Sequence, residues 1–194
     1  SQKFSGWDPY DGLNSKIFQA LPFKHLSPAR LMWIQFFKLS PINFRNLLLV
    51  PKEFNTKGIA LFLTGYCNLY EHTKKGNTNY GSKESHLNKI QELADLLISM
   101  QSKGYNGACW GYNFDWQSRA FFLPKHTPTI VATSFVVEAL LKAYEITEKK
   151  EYYQTAITSA KFIINDLNRI DKGNELFMFS YSPLDNRAVY NASL

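Results

Sequence analysis

The stretch IVATSFVVEALLKAYEITEKKEYYQTAITSAKFIINDLNR, residues 130–169, decides how this chain folds. Its first part, 130–147, is largely apolar and reads as a helix buried along most of its surface. Its second part is amphipathic, with Tyr152, Ala156, Ile157, Ala160, Ile163, Ile164 and Leu167 recurring at helical spacing. A buried helix followed closely by an amphipathic one is a helical hairpin. Neither member can bury its apolar face alone, so such hairpins stack on further copies of themselves.

The same order occurs upstream. KGIALFLTGYCNLYEH (57–72) places Ile59, Leu61, Phe62, Tyr66, Leu69 and Tyr70 with helical recurrence and few charges, predicting a helix buried on most sides. The loop TKKGNTNYGS follows, and then the amphipathic KESHLNKIQELADLLISMQS, whose stripe is Leu87, Ile90, Leu93, Ala94, Leu97, Ile98 and Met100. Gly104 closes this unit as Gly173 closes the later one, and each is followed by an aromatic extended piece, ACWGYNF or LFMFSYSP. Tyr70 placed on Tyr144 gives a period of 74 residues, and Trp110 placed on Phe177 gives 67. WDPYDGLNS (7–15) and YSPLDNRAVYNAS (181–193) echo each other around Pro and Asp, with FLPKHTPT (122–129) a looser relative.

Buried inner helices backed by amphipathic outer ones describe an all-α fold, part of an α/α toroid, with short aromatic extended segments between hairpins. A closed ring of six such hairpins needs roughly twice this length. The expectation is therefore one domain, 1–194, forming the N-terminal part of a larger toroid or completing its core as a homo-oligomer.

Composition narrows the partners. The 194 residues are 45% hydrophobic and 20% charged, which excludes a disordered chain. The net charge of +6 comes without a nucleic-acid motif, so no nucleic-acid partner is expected. No run reaches the ~18 apolar residues of a membrane span and no signal-peptide pattern opens the chain, so a cytoplasmic protein without a membrane span is expected. Cys67, Cys109 and the four histidines match no zinc-ligand spacing, and neither metal nor cofactor is expected. Cys67 lies in the apolar run ALFLTGYCNLY and reads as a buried free thiol.

Taken together, ACWGYNFDWQSR (108–119), PKHTPTIVATSFV (124–136), YSPLDNRAVYNAS (181–193) and GWDPYDGLNS (6–15) resemble a family of bacterial and archaeal α/α-toroid proteins. These are six-hairpin glycosidase-like and associated with polysaccharide biosynthesis or modification. TPTIVATSFVVEALLKAYE also resembles, more faintly, the toroidal domain of uronyl C5-epimerases. Some relatives carry the label δ-aminolevulinic acid dehydratase. That enzyme resembles a TIM barrel working through Schiff-base lysines, and a chain of successive helices without βα alternation does not fit the label.

The toroid implies a ligand at the mouth where the inner helices begin, reached by segments 6–15, 108–129 and 179–191. These carry the residue types of a sugar site, in which rings stack on a pyranose face and charged groups bond its hydroxyls. Trp7, Asp11, Trp110, Tyr112, Trp116, Tyr181, Arg187 and Tyr190 are candidate contacts to an oligosaccharide or polysaccharide, with Asp8 beside them. Asp115, Asp185, Arg119 and His126 are the candidate catalytic groups. Hydrolysis needs two carboxyl groups, Asp115 with Asp185 or Asp11. Lyase or epimerase chemistry on a uronic acid needs a base, such as Tyr112, Tyr181 or His126, and a cation such as Arg119. Binding without chemistry is the third reading. Each residue also has a plainer role open to it: the aspartates as turn caps, the tryptophans as core anchors, and Arg119 as a helical partner of Asp115.

Overall fold

A computed structural model describes residues 4–76 and 79–186. Over these the chain is mostly helical, with six α-helices and two small two-stranded ladders. It divides into two compact units. Among the described residues, unit 1 comprises 4–55 and 112–127, and unit 2 comprises 56–76, 79–111 and 128–186.

Unit 2 contains the two hairpins anticipated from periodicity. The first is α3 (Thr56–Lys74) with α4 (Lys83–Ser99), and the second is α5 (Ile130–Thr147) with α6 (Lys150–Asp166). Capping fixes their ends. The Ser82 side chain accepts from Ser85 N at the start of α4, and that of Thr129 accepts from Ala132 N at the start of α5. Glu148 takes the left-handed conformation at the end of α5, which turns the chain directly into α6. Each hairpin packs on itself, and α3 also packs along α5. Leu63, Ile90, Leu93, Leu97, Val136 and Leu140 are fully buried in this core. At roughly 1.5–3 kcal/mol per large aliphatic side chain, that burial dominates the unit's stability.

The helix starts repeat a linkage. Thr56 Oγ1 donates to Gly111 O at 2.8 Å, and Ile130 N donates to Tyr181 O at 3.0 Å. In both cases the first residue of a buried helix is tied to the extended segment that follows the next helix.

Three expectations are corrected here. First, α3 is buried along one stripe only (Thr56, Ile59, Ala60, Leu63 and Cys67), while Leu61 and Phe62 are about half exposed. Its packing partners α4 and α5 leave that flank uncovered. Second, the buried stripe of α6 is Tyr152, Ala156, Ser159 and Phe162, and Ile157 and Ile164 are exposed. The cause is Gly107, where a Cβ would lie 2.1 Å from Thr158 O. The chain after α4 lies directly on the α6 backbone there, and this selects the face that carries Phe162. Third, the glycines do not end the helices. Met100 caps α4, and Gly173 belongs to the hairpin of β3 (Arg169–Gly173) and β4 (Leu176–Phe179).

Unit 1 holds elements that no periodicity announced. A 3-10 turn at Asp11–Asn14 leads into α1 (Lys16–Ala20), followed by α2 (Ser27–Leu39). Later in the chain come the short strands β1 (Trp116–Gln117) and β2 (Phe122–Leu123), which pair antiparallel. Leu13, Phe18 and Ile34 form a small core, with Trp33, Trp116 and Phe122 packed against it. Gly12 is required where it stands, because a Cβ would come within 2.7 Å of the Phe37 ring. No described helix is long and apolar enough to cross a membrane.

Candidate functional site

The loop 112–127 carries three of the four predicted catalytic residues, Asp115, Arg119 and His126. Its two arms run antiparallel. His126 N donates to Tyr112 O at 2.7 Å, and Lys125 N donates to the Asp115 carboxylate at 2.8 Å. The pairing continues through Trp116 opposite Leu123 and Gln117 opposite Phe122. Ser118 closes the tip, its hydroxyl accepting from Ala120 N and Phe121 N. His126 sits at a φ of 63°, in the left-handed region, where the outgoing arm ends.

This arrangement gathers Tyr112, Asp115, Lys125 and His126 at the base of the loop and sends Arg119 to its exposed tip. The chain leaves Asp115 as a short strand and turns at Ser118, so Arg119 does not stand one helical turn from Asp115. The helical Asp115–Arg119 pair is therefore absent, because the segment is a strand and not a helix. The Tyr112 ring stacks on Phe114 with centroids 5.4 Å apart, and Trp116 meets Phe121 edge-on. Tyr112, Asp115 and Trp116 are half-buried, whereas Lys125 and His126 are exposed. Gln117 is buried under the loop, donating to Ser118 O and Phe121 O.

The other candidates in unit 1 are more committed. Trp7 donates its indole N–H to Val50 O at 3.0 Å, and Lys52 lies 4.6 Å from the centre of its ring. Asp11 is buried and paired with Arg45 at 2.8 Å, while its second oxygen accepts from Asp8 N. Burial pushes the Asp11 carboxyl above its ordinary pKa, outweighing the opposing pull of the Arg45 guanidinium. Asp8 accepts from Tyr10 N and from the Asn55 amide, a turn-capping role. Both aspartates thus hold the chain of unit 1 in place.

In unit 2, Trp110 is wholly buried and donates to Leu97 O at 2.7 Å, which makes it a core anchor. Tyr181 and Asp185 are also buried. Arg187 and Tyr190 lie outside the described residues. Cys67 and Cys109 are buried free thiols, and desolvation pushes both up to about 12. Among the described residues no group of three or more His, Cys, Asp or Glu could hold a metal ion.

A further polar centre carries no motif in the sequence. Glu53 Oε2 accepts from the side-chain amides of Asn14 at 3.3 Å and Asn113 at 3.4 Å. Asn14 also donates to Asn113 O at 2.8 Å, which ties this centre to the start of the loop. Asn113 Oδ1 is buried without a hydrogen-bond partner. A half-buried carboxylate flanked by two amides, one residue from Tyr112, is suited to hydrogen-bonding hydroxyls. The clue lay in its position. Glu53 falls in PKEFNT, the segment immediately before α3, just as the loop 112–127 comes shortly before α5.

No family model matches the chain, and neither a curated protein nor a solved structure matches it. Function therefore has to be argued from the residues.

Proposed function

We propose that this is a carbohydrate-active protein that engages an acidic saccharide through the 112–126 loop of unit 1, with unit 2 supplying two hairpins of an α/α toroid. The observation that carries this reading is the base of the loop. Aromatic faces (Tyr112 and Trp116), a carboxylate (Asp115) and exposed cationic or titratable groups (Lys125 and His126) are held there on one short antiparallel scaffold. Rings of this kind stack on sugar faces, and the cations match a uronate carboxylate. The toroid part is supported by the two hairpins, by the packing of α3 along α5, and by the repeated tie at the helix starts. The sequence resemblance to polysaccharide-associated toroid proteins points the same way.

Lyase- or epimerase-type chemistry suits this set better than hydrolysis. Proton abstraction beside a carboxylate needs one base and one neutralising cation, and the base of the loop offers His126 and Tyr112 with Lys125, while Arg119 stands apart at the tip. Hydrolysis needs a second accessible carboxyl group, and both candidates for it are buried, Asp11 against Arg45 and Asp185 within unit 2. A second reading, glycan binding without turnover, is favoured by Asp115, whose oxygen staples the loop through Lys125 N.

The test is a panel of uronic-acid and neutral oligosaccharides, followed by calorimetry for binding. Turnover is followed by ultraviolet absorbance for an unsaturated product and by solvent deuterium uptake at C5 for epimerisation. Acidic oligosaccharides bind, and His126→Ala abolishes turnover while binding persists. Binding with no turnover in the wild type selects the second reading. No affinity for any saccharide contradicts both.

A further inference from the structure

Unit 1 presents an apolar face that its own fold does not cover. Phe23, Ala29, Met32, Trp33, Phe36 and Leu48 line an open groove of about 410 Å³ with an almost wholly apolar wall. The face extends beyond the groove. Met32 is 69% exposed and Leu39, at the end of α2, is 74% exposed, while Leu26, Ile42, Leu47 and Leu49 are each more than half exposed. Phe36 stacks on Phe44 with centroids 5.6 Å apart, which joins the helix to the 42–49 segment. Isolated exposed apolar side chains are ordinary on a protein surface, but an apolar groove joined through Phe36 and Phe44 to a segment rich in exposed apolar side chains marks an interaction site.

The charges of the segment that builds this face are all of one sign. From Gly12 to Lys52 the chain carries Lys16, Lys24, Arg30, Lys38, Arg45 and Lys52, and not one Asp or Glu. Arg45 is spent on Asp11, and Arg30 lies over the Phe122 ring at 3.8 Å. Lys16, Lys38 and Lys52 remain exposed, and Lys24 and His25 stand between exposed Phe23 and Leu26. The occupant must therefore bring both apolar substance and negative charge.

We infer that the α2 face of unit 1 docks on an anionic lipid surface, with Met32, Phe36 and Leu39 entering the acyl boundary and the flanking lysines meeting the headgroups. A short helix with a broad apolar face and cationic flanks lies in the plane of a bilayer interface and does not span it. The 13 residues of α2 give a contact about 20 Å long. A second copy of the chain is the wrong occupant. A two-fold contact through this face would bring two sets of lysines together with no carboxylate from 12–52 to meet them. This inference is independent of the saccharide reading.

The experiment is co-sedimentation of the full chain with vesicles of phosphatidylcholine alone and of phosphatidylcholine with about a third phosphatidylglycerol, at low and at physiological salt. The chain partitions onto the anionic vesicles, the partition weakens with salt, and neutral vesicles capture far less. Met32→Glu with Leu39→Glu abolishes capture while far-ultraviolet circular dichroism is unchanged. Both side chains point to solvent, and Leu39→Glu alone carries the test if the double variant misfolds. Lys38→Gln lowers the partition roughly fivefold. Absence of capture at low salt overturns the inference, as does capture that the glutamate variants leave intact. Self-association removed by the same variants, or binding to polyglutamate without binding to vesicles, overturns it in favour of a protein partner.

Discussion

The two units are built on different principles. Unit 2 is held mainly by aliphatic burial between helices, and polar links between its elements add to that burial. One of them joins α4 to α6, where Tyr152 donates to Asp95 at 2.6 Å beside Lys149. Unit 1 has a small core and is stitched by side chains reaching distant backbone oxygens. Ser15 donates to Leu48 O, Trp33 to Gly12 O, Trp7 to Val50 O and Arg45 to Asp8 O. A unit held by burial tolerates change at its surface and fails when a cavity opens. A unit held by stitches fails at single polar residues and leaves apolar and ionisable groups exposed for other uses.

Breaking each unit by its own weakness gives the sharpest contrast. Asp11→Ala leaves the Arg45 guanidinium buried without its counter-charge and costs about 3–5 kcal/mol, read by urea unfolding followed through tryptophan fluorescence. Leu93→Ala opens a cavity at a fully buried site of unit 2 and costs about 2–5 kcal/mol in the same assay. Thr129→Ala removes the cap of α5 and costs about 1 kcal/mol. A fourth experiment changes pH. The folded Asp11 carboxyl binds its proton more tightly than an unfolded aspartate of pKa about 3.9. Between that value and the raised folded one, its contribution to stability grows as pH falls. Asp11→Asn flattens this part of the profile. The smallest signal is chemical: with both thiols buried and pushed up to about 12, a thiol reagent at mildly alkaline pH labels neither cysteine until urea is added.

The same contrast explains what the sequence made legible. The helices of unit 2 follow from periodicity, because an apolar stripe records which face is buried. In α6 the stripe alone does not set the phase, because Ile157 and Ile164 fit it as well as Phe162, and only the approach of Gly107 decides between them. In unit 1, α2 carries apolar residues on nearly every side, so no stripe separates core from surface. Its stitches run between residues tens of positions apart and leave no local pattern. The aromatic loop stands out in the sequence by its residue types, with Trp116, Asp115 and His126 close together. That Glu53 serves the same region through Asn14 and Asn113 depends on contacts spanning 39 and 60 positions.

The central claim is that the loop of unit 1, and not the buried aromatics of unit 2, meets the saccharide. The four tryptophans report on it directly. Trp7, Trp33 and Trp116 belong to unit 1, and Trp110 is buried in unit 2. Nitrogen–proton correlation spectra of the labelled chain, titrated with a uronic-acid oligosaccharide, resolve each indole N–H. The account predicts that the Trp116 signal moves with added ligand and that the Trp110 signal does not. A titration in which Trp110 moves and Trp116 stays still contradicts it.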